Sequence, residues 1–227
     1  STEAQHDLYS HMARWYADKV SRPDLALPWL HKVLEIEPSH ERSLDMLSQI
    51  YKKAQQWAEL SQILLKRADV AAPNVARDLR AEAAEIVSNK LASAPAALEL
   101  YESVVNEDPG HERAVRGMVE MLRQAGDNKR ALSVLSGRAA ALAGDERHAL
   151  LCEIAEGYEV EADDLDAAEK SYKQVLAEDA KSSDALRGLD RIYSRLSSYQ
   201  ELLPIFEHEV ELAVTARQKI TLLERVA

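Results

Sequence analysis

The sequence predicts an all-α fold, an α-α superhelical solenoid of stacked antiparallel helix hairpins, and three observations carry that expectation. Gly, Pro and Phe number only 7, 7 and 1 in 227 residues, while Ala, Leu, Glu, Arg and Lys recur throughout. This is the usage of helix formers with few strand formers and few turn residues. Apolar residues return at three- and four-residue steps, the period of a helix face. The sequence also repeats itself without a gap, Pro109 lying 71 positions after Pro38, and such self-similarity is the mark of a repeat array.

The repeat fixes the order of elements. The stretch Glu37-Pro38-Ser39-His40-Glu41-Arg42 returns as Asp108-Pro109-Gly110-His111-Glu112-Arg113 and, more weakly, as Asp179-Ala180-Lys181-Ser182-Ser183-Asp184. The same offset maps Leu30 to Tyr101 to Tyr172, Leu47 to Met118 to Leu189, and Ile50 to Met121 to Ile192. In the second copy, helical periodicity covers roughly 75–93, 95–107, 111–125 and 128–143, with breaks at Pro73-Asn74, Ala94-Pro95, Pro109-Gly110, Gly126-Asp127 and Gly144-Asp145. Turns this short make neighbouring helices antiparallel. The expected hairpins span 6–38, 39–73, 74–109, 110–144, 145–180 and 181–214, with a further first helix at 215–227, about thirteen helices in one domain covering 1–227. Pro28 and Pro204 fall early in their helices, where a missing N–H costs least.

The hairpin after Pro38 has Leu44, Leu47, Ser48 and Tyr51 at the spacing W-x-x-L-G-x-x-Y, Trp57 at the turn, then Leu60 and Leu64. Its copies read Val115, Met118, Val119 and Leu122 with Ala131 and Leu135, then Leu186, Leu189, Asp190 and Tyr193 with Tyr199, Leu202 and Phe206. The intervening hairpins fit with one extra turn residue. On these residues the whole chain resembles the tetratricopeptide repeat family, in a bacterial-type array of 71-residue double repeats. Arg67, Arg138 and Glu209 depart from it, standing where the family has a small residue.

The resemblance implies a stack whose first helices line a concave surface that takes a protein or peptide. Carrying over the family's groove positions gives Arg42, Asp45, Gln49, Lys52 and Lys53, then Arg113, Arg116, Glu120, Arg123 and Gln124, then Asp184, Arg187, Arg191, Ser194 and Arg195. The alternate hairpins give Glu85 and Glu156 with Glu82 and Glu153 adjacent, so basic and acidic first helices alternate. Two consequences are open: the acidic helices neutralise the basic ones, Glu153, Glu156 and Glu159 facing Arg187, Arg191 and Arg195, or the arginines stay free to grip a carboxylate or phosphate. The Lys-Asn-Asn-Lys-Arg set with which some family members hold a C-terminal carboxylate is not matched.

Chemistry of other kinds is not expected. A net charge of −11 opposes a phosphate backbone, which excludes general nucleic-acid binding. No run approaches the roughly 20 apolar residues of a membrane span. No glycine pattern cradles a phosphate, no histidine pair has the H-x-x-x-H spacing, and His148 four before Cys152 is too few ligands for a tight metal site. Catalytic, cofactor and metal sites are therefore expected to be absent. Cys152 stands beside Glu153 and Glu156, which disfavour a thiolate, and a lone cysteine sets a reducing cytoplasm as the default compartment. Trp15 and Trp29 are expected under the terminal helices, with a partner anchor as the alternative, and Tyr199 is expected in core or inter-helix packing. The function expected is a non-enzymatic scaffold for a protein or peptide. The alternatives are a regulatory or substrate-recruiting arm of a larger enzyme, since the last copy stops in mid-repeat, and self-association through the end helices.

Overall fold

The computed structural model describes residues 2–20, 22–215 and 217–221. Among these there are twelve α-helices and no strand: α1 Thr2–Arg14, α2 Pro23–Ile36, α3 Glu41–Ala54, α4 Trp57–Val70, α5 Pro73–Asn89, α6 Ala94–Glu107, α7 Glu112–Gln124, α8 Asn128–Ala141, α9 Gly144–Val160, α10 Leu165–Glu178, α11 Ser183–Leu196 and α12 Tyr199–Leu212. Residues 217–221 are also helical; the rest of the expected thirteenth helix lies outside the described residues. The predicted blocks hold to within a few residues. Three of the expected breaks open a helix instead of separating two: Pro73 starts α5, Ala94 and Pro95 start α6, and Gly144 starts α9, and the locked φ of the two prolines suits a helix start.

The extra length of the alternate hairpins is shared between the first helix and the turn, which runs over 90–93 and 161–164 against 55–56 and 197–198 in the shorter hairpins. Helices α5 and α9 have 17 residues, whereas α3, α7 and α11 have 14, 13 and 14. Helix α1 extends through Trp15–Lys19 with one wide turn, in which Val20 N donates to Trp15 O at 3.1 Å.

The chain divides into two compact units, Ser1–Met118 and Val119–Ala227. In the first, each helix from α1 to α6 packs on the next. Its core joins Leu30, Leu44, Leu47, Leu60 and Leu64, all almost fully buried; burying a leucine contributes roughly 1.5–3 kcal/mol. In the second, α8 to α12 pack in sequence and α9 also meets α11, first helix against first helix. Leu132, Ile154, Leu186, Leu189 and Ile192 are its most buried large side chains.

The backbone repeats as faithfully as the sequence. Gln55, Gly126 and Ser197, spaced by the repeat, end their helices at φ 57°, 77° and 55°, and Ala92 and Asp163 share a second such position at 51° and 48°. In the first set the following amide reaches back inside the helix, as Gln56 N does to Tyr51 O at 3.0 Å and Ser198 N to Tyr193 O at 2.9 Å, closing carbonyls the helix end leaves open. Only Gly126 takes this conformation without a Cβ penalty. Ala92 has no polar side chain to help it, so Ala92→Gly is expected to stabilise the chain by about 1 kcal/mol, measurable as a raised urea midpoint with an unchanged slope.

Candidate functional site

Helix α3 shows how the sequence gathers polar side chains on one face. Leu44, Leu47 and Tyr51 turn inward, and at three- and four-residue steps on another face stand Arg42, Asp45, Gln49 and Lys53. These four line one cavity of about 540 Å³ with Ala17, Pro23, Met46 and Ile50. Four of the five groove positions carried over from the family resemblance on this helix thus come together. The fifth, Lys52, turns away, its Nζ donating to Glu82 Oε1 of α5 at 2.9 Å.

Within the cavity Asp45 is already satisfied. It accepts from Gln49 Nε2 at 2.8 Å and lies 3.0 Å from Arg67 Nη2. Arg67, which stands where a small residue is usual, crosses the hairpin and donates from Nη1 to Ser48 Oγ at 2.9 Å. It also lines a second cavity of about 450 Å³, bordered by Arg42, Asp45, Val70, Val75 and Leu79. Two repeats later the corresponding corner holds Glu209 and Arg187, the signs exchanged, beside a cavity of about 680 Å³ lined by Leu186, Leu212 and Val214. Arg42 and Lys53 are exposed and make no hydrogen bond or ion pair among the described residues. Eleven helical residues put their Cα atoms about 16 Å apart, the span of about five extended residues.

The other candidate residues fall into paired and unpaired sets. In the second unit Arg191 grips Glu159 with both arms of its guanidinium, at 2.9 and 2.8 Å, and Arg195 reaches Asp163 at 2.7 Å. Arg123 lies 3.3 Å from Glu161 and 3.9 Å from Glu153. Arg187 stays on its own helix with Asp184 at 3.1 Å, and Glu120 accepts from Gln124 at 3.4 Å. Of the facing expected among Glu153, Glu156, Glu159 and the three arginines of α11, only Glu159 with Arg191 is made. Asp163 and Glu161 are the residues sequence reasoning missed. A signal existed: Arg191 to Glu159 and Arg195 to Asp163 are each 32 positions apart, a two-rung ladder one turn long. In the first unit Arg116 lies 3.8 Å from Glu112, while Arg113 and Glu85 are exposed without such a partner among the described residues.

These contacts set the electrostatics. Hydrogen bonding to Arg191 holds the Glu159 carboxyl below its ordinary value of 4.5. Burial, then the Glu159 charge, pushes the Tyr172 phenol well above its usual range. The Cys152 thiol is raised chiefly by burial, with Asp184 and Asp179 adding to it, so the cause differs from the Glu153 and Glu156 expected. His148 Nε2 meets Ser182 Oγ at 3.2 Å. The aromatics divide: Trp29 is part-buried against Tyr9, but Trp15 is 46% exposed and Tyr199 73%, both outside the packing expected of them.

An all-α chain of short-turned hairpins whose pairs recur every 71 residues, with polar first-helix faces, defines a helical-repeat protein of tetratricopeptide-like design. No family model and no curated protein sequence matches the chain. Among solved structures it is similar to a double mutant of MamA RS-1, at 17% identity over 76% of this chain and 93% of that one with a TM-score of 0.42. It is similar also to YrrB, described as a TPR protein with an unusual peptide-binding site, at 15% over 95% and 90% with a TM-score of 0.41. A third is the TPR domain of P58(IPK), at 15% over 98% and 65% with a TM-score of 0.39. None of these likenesses transfers a site or a ligand. No helix among the described residues is long and apolar enough to cross a membrane.

Proposed function

We propose that the chain is a non-enzymatic interaction scaffold that holds an extended segment of a partner protein on the α3 face. The observation that carries this reading is the convergence of Arg42, Asp45, Gln49 and Lys53 on one cavity that Ala17, Pro23, Met46 and Ile50 also border. Arg42 and Lys53 supply two cations without competing partners, and Arg42 offers a planar fork suited to a carboxylate. The preferred ligand is therefore a peptide with acidic residues about four or five positions apart and a small apolar residue between them. Because Lys52, Arg123, Arg191 and Arg195 are each engaged by carboxylates of a neighbouring first helix or the turn after it, they serve register before they serve a ligand. Such exposed pairs contribute only about 0.2–1 kcal/mol each.

The test is selection of peptides from a random display library on the purified chain, followed by fluorescence polarisation. Arg42→Glu/Lys53→Glu is expected to weaken the selected peptides at least ~10-fold, the loss of one or two charge-assisted contacts, and added salt is expected to weaken the wild-type complex. Peptides bound equally by the variant would place recognition elsewhere.

A further inference from the structure

We propose that His6, Glu37 and His40 form a binding site for a divalent transition-metal ion of the zinc class, which ties α1 to the turn between α2 and α3. One ring nitrogen of each histidine and one Glu37 oxygen all lie within 4.8 Å of one another. His6 Nε2 is 3.2 Å from Glu37 Oε2, and ligand atoms on a tetrahedral zinc stand about 3.3 Å apart when bonds to nitrogen and oxygen are about 2.0–2.2 Å. The two imidazole rings meet edge to face at 5.1 Å between centroids. Two imidazoles and a carboxylate are a ligand set that leaves one position for water.

A second observation sets this cluster apart from a chance grouping. His6 Nε2 is shielded from solvent yet makes no hydrogen bond of acceptable geometry, the Glu37 contact included, and Ser10 Oγ is in the same condition. Both residues line a cavity of about 170 Å³ that His40 also borders. An unmet polar atom costs about 1–3 kcal/mol, and a metal at this point satisfies it. The outer contacts suit the role. Ser43 Oγ lies 2.8 Å from His40 Nδ1, which orients that ring and leaves Nε2 as its ligand atom. The Ser43 amide bond to Nδ1, at 3.3 Å, is the longer and more easily released. Asp7 Oδ1 stands 3.8 Å from His6 Nδ1, close to the place of a carboxylate behind a ligating histidine.

The repeat supplies an internal control. The residues corresponding to His6, Glu37 and His40 are Arg77, Asp108 and His111, then His148, Asp179 and Ser182. In the second copy the junction is closed by Arg77 with Asp108 at 3.6 Å, His111 turning to Asp78 at 3.2 Å. In the third it is closed by His148 with Ser182. Only the first copy puts three metal-ligating types at the junction. The competing explanation is that His6 and Glu37 merely stand in for the arginine pair.

His6→Arg and His40→Ser install residues the same junction already accepts elsewhere in the chain, so folding is preserved while the ligand set is broken. Tag-free chain is stripped with chelator and titrated with Zn²⁺ by calorimetry, with Co²⁺ as a spectroscopic probe. One zinc per chain is expected at a Kd on the order of micromolar, weaker than four-ligand structural sites. A zinc-dependent rise in Tm and a four-coordinate Co²⁺ spectrum should accompany it. Each substitution is expected to weaken zinc on the order of 100-fold and abolish both signals, while His148→Ala keeps wild-type affinity. Equal affinity in His6→Arg, binding lost in His148→Ala, or no uptake by the wild type below about 1 mM would each overturn the site and leave the ion-pair account.

Discussion

Gly188→Met is expected to destabilise the chain by about 3 kcal/mol, the upper end of ordinary overpacking. A Cβ at Gly188 would press on Tyr172 Cζ, well inside any permitted contact. The ring cannot swing clear cheaply, because its hydroxyl donates to Glu159 Oε2 at 3.1 Å and accepts from Arg191 Nη2 at 3.1 Å. The second copy has the same close approach, the Tyr101 ring standing over Gly117. In the first copy the corresponding residues are Leu30 and Met46, so the volume is shared differently across one joint. Adding Tyr172→Leu to Gly188→Met reproduces that first-copy pair and is expected to recover most of the loss. About 1 kcal/mol remains for the missing hydroxyl contacts. Urea denaturation of the two single variants and the double closes the cycle; a double variant no better than Gly188→Met alone would show that the joint is not the source of the strain.

The second large effect is expected at Glu159. Glu159→Gln removes the charge that Arg191 grips at two points while keeping a carbonyl for Tyr172. Hydrogen bonds to charged groups contribute about 1.5–3 kcal/mol; with Arg191 about half exposed, a loss of about 1–2 kcal/mol at pH 7 is expected. The sign with pH follows from the lowered carboxyl. Its contribution is fully present above the unfolded value near 4.5 and is lost as pH falls through the lower folded value. Wild type and Glu159→Gln therefore converge in stability as pH falls through that lowered folded value, because protonated glutamate and glutamine make similar contacts. Glu169, lowered by its hydrogen bond from Lys173, titrates in the same sense in both proteins and does not separate them. A gap that persists unchanged through the whole acid range in which the chain stays folded would mean that the substitution acts through packing instead.

Element type and order were legible in the sequence because each is set by local terms: periodicity, a proline at a first turn, a register of 71. His40 and His111 open their helices at matching places in the repeat, each Nδ1 accepting a backbone amide at 3.3 Å. The clustering of Arg42, Asp45, Gln49 and Lys53 on one face of α3 was legible for a similar reason, since residues spaced by three and four share a side whatever they pack on. What stayed hidden depends on where long side chains go. Lys52 and Lys53 are adjacent and alike in the chain, yet one turns to Glu82 and the other to the cavity. Arg195 was paired in expectation with a glutamate on the helix, but the turn holding Asp163 was nearer. The histidine and glutamate junction could not be seen by scanning for ligand spacing, because its members come from the ends of two hairpin helices and meet only when those pack.

The alternation of a 17-residue first helix with one of 13 or 14 has a consequence for how such a chain can gain or lose length. Complementary partners such as Tyr172 with Gly188, and Arg191 with Glu159, sit on opposite sides of a hairpin boundary, and the partner type changes in steps of 71. A gene rearrangement that adds or removes one hairpin brings together two helices of the same length class whose residues were never selected against each other. One that moves 71 residues leaves every new junction with a long helix beside a short one. The unit that can be exchanged with the helix lengths kept is the pair of hairpins.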